Sequence, residues 1–344
     1  MATELSSGKL ADFTHSPRSR RSQPPGATPR YTDKCLAVTR RNLFRIAQWI
    51  FAAAVLFFAA RSLIGQWDKV GSRLSHIQFQ WSWLAAATLL VLASYVLLIE
   101  GWRRVLVAWD SHLPFGDAAR IWFLSNLGKY VPGNIWSLTA MSVMARRRGL
   151  SGIAAAGSSI IMQTVSLATG TGIVLVTSAK LLGQPMLVGA TVLMLAVLLF
   201  TAPRFLPPLV QWIAGLMGRE ASPPTIPAAS IWTAAAASTI SWLFYGVAFQ
   251  FFVRGVLGSA NGETASYMAV YTAAYILGFI SPIAPAGLGV REFTLAAFMT
   301  QLGLANEADA AFVALAARLW LTIVELVPSG LYIAAGTTRR SLPN

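Results

Sequence analysis

Five charged side chains in this sequence stand among apolar neighbours. Arg291 and Glu292 close the stretch Ser281 to Glu292, SPIAPAGLGVRE, and Lys129 lies within LGKYVPGN, Leu127 to Asn134. Arg318 and Glu325 occupy the last apolar run, seven residues apart, which puts them on one helical face about two turns from each other. Ionisable groups at membrane depth are functional candidates by default and face the interior of a bundle. Lys129 and Arg291 suit a phosphate group, arginine in bidentate fashion. Glu292 suits Arg291 or a cationic group, and the Arg318–Glu325 face is expected to look toward both. Asn134, at the end of the first break, completes the candidate binding set. Pro132, Pro282 and Pro285 interrupt helices and free backbone groups to face a cavity. Gly133, Gly287 and Gly289 permit tight turns and close backbone approach. A helix starting after each break would aim amide groups at an anion. The competing reading is that these charges satisfy one another and pin the fold.

The setting is a membrane. Of 344 residues, 55% are hydrophobic and 12% charged, and the mean hydropathy is +0.58; soluble domains carry roughly 25% charge. The net charge of +14 is gathered in the N-terminal tail and short loops, without the aromatic-interleaved patch that nucleic-acid binding needs. Cys35 is the one cysteine, and His15, His76 and His112 have no metal-ligand spacing. No Walker loop, Gly-x-Ser-x-Gly or Asp-x-Asp is present. The expectation is a protein that is not an enzyme, with no cofactor and no metal.

Taken in order, residues 1–42 read as a disordered basic cytoplasmic tail rich in Ser, Pro and Arg. Ile46 to Ile64 reads as an uncleaved anchor and Leu84 to Leu106 as the return span. Ala118–Leu127 and Ile135–Ala145 are each about half the length a span needs. They end at Arg146, Arg147 and Arg148, which by the positive-inside rule stay cytoplasmic. This predicts a hairpin that enters and leaves on one side, with Lys129 at its tip. Ile153–Ser178 is a full span with Gln163 as its one large polar residue. Leu187–Thr201 is expected to return and end at Pro203, and 204–227 to be a polar, proline-rich linker. Ala228–Val253, a second hairpin over Tyr267–Leu302 and a last span Ala311–Ala335 follow. Arg339 and Arg340 fall on the cytoplasmic side only if that hairpin is re-entrant from outside.

The sequence thus predicts an all-α polytopic membrane protein with about six full spans and two opposed re-entrant helical hairpins in an inverted repeat. Half one runs over about 43–203 and half two over 228–337, within a domain of 43–337, and 338–344 form a cytoplasmic tail. Broken helices paired across inverted repeats are a recurrent transporter plan with the site at the midplane. Eight plain spans, with both breaks in surface loops, are the alternative.

Both breaks resemble those of the lysylphosphatidylglycerol synthase membrane region, the flippase-like half of multiple peptide resistance factor. The matching residues are GKYVPGN at 128–134 and P-x-x-P-x-G-x-G-x-R-E at 282–292, within a likeness covering roughly 40–337. The resemblance implies a lipid-handling domain of the plasma (inner) membrane. Its partner would be a phospholipid or polyprenyl-linked glycolipid moved between leaflets. A non-transporting accessory subunit of a membrane lipid- or glycan-modifying enzyme is the alternative, and an embedded transferase a third. No aminoacyltransferase domain follows the last helix in this sequence, so lipid lysylation is not carried over.

Overall fold

In lipid a helix satisfies its own backbone, whereas an irregular segment survives only when buried in protein or beside water. The computed structural model describes residues 79–130, 135–179, 185–216, 227–281 and 287–338, and all regular structure among them is helical. The expected anchor over Ile46–Ile64, both tails, and Pro132, Gly133, Asn134, Pro282 and Pro285 lie outside the described residues.

The helices are α1 (Trp81–Val107), α2 (Phe115–Asn126), α3 (Ile135–Arg146), α4 (Gly152–Thr177), α5 (Pro185–Leu216), α6 (Ala228–Leu257), α7 (Thr264–Ile280), α8 (Val290–Gln301) and α9 (Glu307–Thr338). A 3₁₀ turn, Leu127–Tyr130, extends α2. Four of them, α1, α4, α6 and α9, are long and apolar enough to cross a membrane. By contrast α2, α3 and α8 have 12 residues each, about 18 Å of helix and well short of a bilayer core. One expected boundary is corrected. The helix predicted to stop at Thr201 runs on to Leu216, past Pro203. The segment beyond Thr201 stays largely apolar, and continuous helix is the backbone form that lipid tolerates.

Helices α1 and α6 form the centre and run antiparallel. The N–H of Gln80, before α1, donates to Gly255 O near the end of α6 at 2.9 Å, and Ser230 Oγ at the start of α6 reaches Arg104 O at 3.5 Å. Midway, Ser94 Oγ donates to Ser241 O (3.5 Å) and Ser241 Oγ to Ser94 O (3.3 Å). These two serines occupy the same position in their helices, counted from Trp81 and Ala228. Small side chains let the backbones approach this closely.

The short helices fold back in pairs. Arg148, just after α3, bonds Asp117 in the first turn of α2 at 2.7 Å, so the ends of the first hairpin meet. That mouth sits near the end of α1, where Arg103 Nε donates to Leu113 O at 2.8 Å. The second hairpin, α7–α8, opens at the other end of the central pair. It follows the C-terminus of α6, and a Cβ on Gly262, before α7, would lie 2.7 Å from Leu304, after α8.

In each hairpin a glycine at the inner end of the first arm touches the start of the second. A Cβ on Gly128 would lie 2.7 Å from Ser137 N and 2.8 Å from Trp136 C, and one on Gly278 would lie 3.0 Å from Arg291 Cβ. Gly287, at φ +70°, also packs on Gly278, since its own Cβ would meet Gly278 O at 2.9 Å. The other helix neighbours are α1·α2, α6·α7, α1·α4, α6·α9, α3·α4, α8·α9, α4·α7 and α2·α9, with α4·α6 and α1·α9. Exchanging α1 with α6, α2 with α7, α3 with α8 and α4 with α9 maps these pairs onto themselves. Helix α5, packed on α4 and α6, stands outside that pattern.

The Gly128 contact is with backbone, which cannot rotate away. Gly128→Ala is therefore expected to lower the stability of the purified protein in detergent by about 1–3 kcal/mol. Gly116→Ala, where nothing lies within 4 Å, is the neutral control. Equal melting of the two variants would contradict the close approach.

Candidate functional site

The site is built on α9, the last long helix. Its Glu325 carboxylate takes Lys129 Nζ at 2.6 Å from both oxygens, Tyr95 Oη at 3.0 Å and Tyr130 Oη at 2.9 Å. Lys129 and Tyr130 come from the 3₁₀ turn at the inner end of the first hairpin, and Tyr95 from α1. Two turns earlier, Arg318 Nε lies 3.5 Å from Glu292 Oε1, on the first turn of α8 in the second hairpin. The inner ends of both hairpins thus reach one face of α9 at positions about 10 Å apart along its axis. Both pairs are largely enclosed: the side-chain exposures are 33% and 20% for Lys129 and Glu325, and 15% and 19% for Arg318 and Glu292.

Arg291 is held differently. Its guanidinium lies 5.1 Å from the ring centroids of both Tyr271 and Tyr275, on α7. Ring faces attract cations, but they leave N–H donors unused. Arg291 Nη2 is buried and has no hydrogen-bond partner among the described residues. Of the two partners that the sequence allows Glu292, Arg291 or a cationic head group, its ion pair is with neither but with Arg318. Adjacent helical residues point in different directions, and Glu292 turns to Arg318. Its other oxygen accepts the N–H of Gly289 at 2.6 Å, capping α8. Gly289 (φ +82°) supplies the backbone conformation for that cap.

These groups line a cavity of about 490 Å³. Lys129, Arg291, Arg318 and Glu325 share its wall with Gln163, Ser238 and Ser241, and Gly287 also borders it. Glu292 faces α9 behind that wall. Much of the remaining surface is aromatic. Tyr245 stacks on Tyr271 (5.5 Å, 13°), and Trp242 meets Tyr275 edge-on (5.1 Å, 74°). Trp242 is fixed by its indole N–H to Ser166 O (2.9 Å) and by Gly170, whose Cβ would lie 2.9 Å from its ring. Among the described residues no group of three or more His, Cys, Asp or Glu comes together as a metal site would require.

Of the sequence-derived candidates, Lys129, Arg291, Glu292, Arg318 and Glu325 are brought together, and Asn134 lies outside the described residues. Sequence reasoning missed the tyrosines. Tyr271 and Tyr275 carried a readable signal, four residues apart and about three and two turns before the second break. Tyr95 and Tyr130 carried none, because their partner is far away in sequence.

The lysylphosphatidylglycerol synthase TM region family matches residues 44–329. The chain belongs to that family and is a lipid-related membrane protein. No curated protein matches it.

Removing one partner of an enclosed ion pair leaves the other charge uncompensated, so single changes cost more than the pair itself contributes. Lys129→Met and Glu325→Gln should each destabilise the protein, and the double variant should recover part of the loss. A double-mutant cycle by denaturant unfolding should give a coupling of about 0.5–3 kcal/mol. Additive effects would contradict the pairing.

Proposed function

We propose that this protein moves a phosphate-bearing lipid, a phospholipid or a polyprenyl-linked glycolipid, between leaflets through the α9 cavity. It does so without being an enzyme. The observation that carries this reading is the convergence of both hairpin ends on the charged face of α9, around one cavity bordered by Arg291, whose Nη2 is buried and unpartnered among the described residues. A charged head group cannot cross lipid unaided, and such a cavity offers it donors and shelter. Arg291 is the anchor for the phosphate. Lys129 and Arg318 add positive potential, and their carboxylate partners hold them in place.

The same reading takes both hairpins as re-entrant from opposite leaflets within an inverted repeat of about six full spans. Three observations favour it: the joined ends of each hairpin, their placement at opposite ends of an antiparallel central pair, and neighbour relations that survive exchange of the halves. Sites near the midplane between inverted repeats are the recurrent transporter arrangement. On this reading the termini lie in the cytoplasm and the membrane is the plasma (inner) membrane.

Two measurements test the proposal. In a Cys35→Ser background, Arg148→Cys should label from the cytoplasmic side and Asn261→Cys from the other; labelling of both from one side would refute the opposed hairpins. In reconstituted vesicles, translocation of a head-group-labelled anionic phospholipid should fall at least tenfold with Arg291→Ala, and Arg291→Lys should restore less than half of it. Movement unchanged by Arg291→Ala would remove the site. No movement by the native chain, with an enzyme co-purifying, would favour an accessory role.

A further inference from the structure

The wall of the cavity says more about the head group than that it bears a phosphate. Three of its side chains carry positive charge, Lys129, Arg291 and Arg318, against one carboxylate, Glu325. Both oxygens of Glu325 are already taken, by Lys129, Tyr95 and Tyr130. Glu292 is turned away to Arg318 and to Gly289 N–H. An incoming ammonium group would therefore meet like charges at close range with no carboxylate left to receive it among the described residues. Aromatic faces are the other natural partner of such a cation. Here Arg291 occupies Tyr271 and Tyr275, and Tyr245 is stacked on Tyr271.

What the wall does offer is donors. Trp122, Ser238 and Arg291 are among the residues around this cavity, and in each one donor atom, Trp122 Nε1, Ser238 Oγ and Arg291 Nη2, is buried with no hydrogen-bond partner among the described residues. Ser238 is fully buried, at 0% exposure. Indole and guanidinium nitrogens only donate, and a hydroxyl donates or accepts. A buried donor left unmet is costly, so three around one cavity describe a ligand rich in acceptor oxygens. Phosphate alone can meet Arg291. Trp122 on α2 and Ser238 on α6 approach from other elements and need oxygens beyond the phosphate.

Resting on the translocation reading above, we infer that the lipid carries an uncharged, hydroxyl-bearing head group on its phosphate, a glycerol, polyol or sugar, and not an aminoacylated or quaternary ammonium head. Arg291 receives the phosphate, and Trp122 and Ser238 receive head-group oxygens.

The test is displacement of a fluorescent phosphatidylglycerol from the purified full chain by short-chain lipids. Phosphatidylglycerol and phosphatidylinositol should compete at least tenfold better than lysylphosphatidylglycerol and phosphatidylcholine. Phosphatidic acid, which has the phosphate without the polyol, should fall between. Trp122→Phe and Ser238→Ala should each shrink the advantage of phosphatidylglycerol over phosphatidic acid at least threefold. Affinity for phosphatidic acid should stay unchanged, which also reports that the variant is folded. Should a variant lose phosphatidic acid too, the ranking measured on the native chain decides alone. Equal or better competition by lysylphosphatidylglycerol or phosphatidylcholine overturns the head-group assignment and leaves lipid translocation standing. Failure of the fluorescent lipid to bind at all overturns both.

Discussion

Everything in this bundle depends on the two opposite charges of α9 being claimed by different hairpins. Glu325 binds the first through Lys129 and Tyr130, and Arg318 binds the second through Glu292. On the re-entrant reading, arms of 12 to 17 residues, about 18–25 Å, are not positioned by spanning the membrane. Their inner ends must be tied inside the protein, where the low dielectric makes each tie strong and each loose charge costly. Interleaving the ties along one helix face fixes the distance between the hairpins as well as the depth of each. The cavity is the space that this spacing leaves.

The tyrosines make the arrangement tolerable. A carboxylate with only Lys129 would still have lone pairs facing an apolar interior, and Tyr95 and Tyr130 meet them at 3.0 and 2.9 Å. Arg291 is treated differently, resting on the ring faces of Tyr271 and Tyr275 with a donor to spare. The enclosed cations therefore divide into two held by carboxylates and one held by aromatic rings. On the translocation reading, that division makes Arg291, and not Lys129 or Arg318, the place for the phosphate.

Much of this was legible in the sequence because it is local. The limits of α1, α4 and α6 follow from apolar runs with clear ends, and the two breaks announce themselves by proline and glycine. Charges in apolar surroundings mark Lys129, Arg291, Glu292, Arg318 and Glu325 in the sequence itself. What failed was pairing. The sequence offers Glu292 its neighbour Arg291 or a cationic head group, yet the helical turn sends it to Arg318. Glu325 finds Lys129 at 196 residues' separation, a relation that no spacing rule encodes. The length of α5 is not legible because prolines such as Pro203 read as a stop signal, a rule drawn from helices in water and weaker for apolar sequence in lipid.

On the inverted-repeat reading, the two halves repeat their backbone more faithfully than their chemistry. Helices α3 and α8 have the same length, and connections of equal length, 147–151 and 302–306, lead to α4 and α9. In that register Arg318 stands where the first half has Gln163, and Arg291 where it has Trp136. Both Arg318 and Gln163 line the cavity, so the polar position is kept while the charge is not. The central serines and the glycine contacts inside the hairpins, by contrast, recur in both halves. Contacts that set the distance between helices are thus duplicated, and charges that would select a ligand are concentrated on α8 and α9, with Lys129 as the first half's contribution. On the translocation reading this is the division of labour such a site requires: a scaffold equivalent in both directions, and a single unsymmetrical set of charges for the head group to recognise.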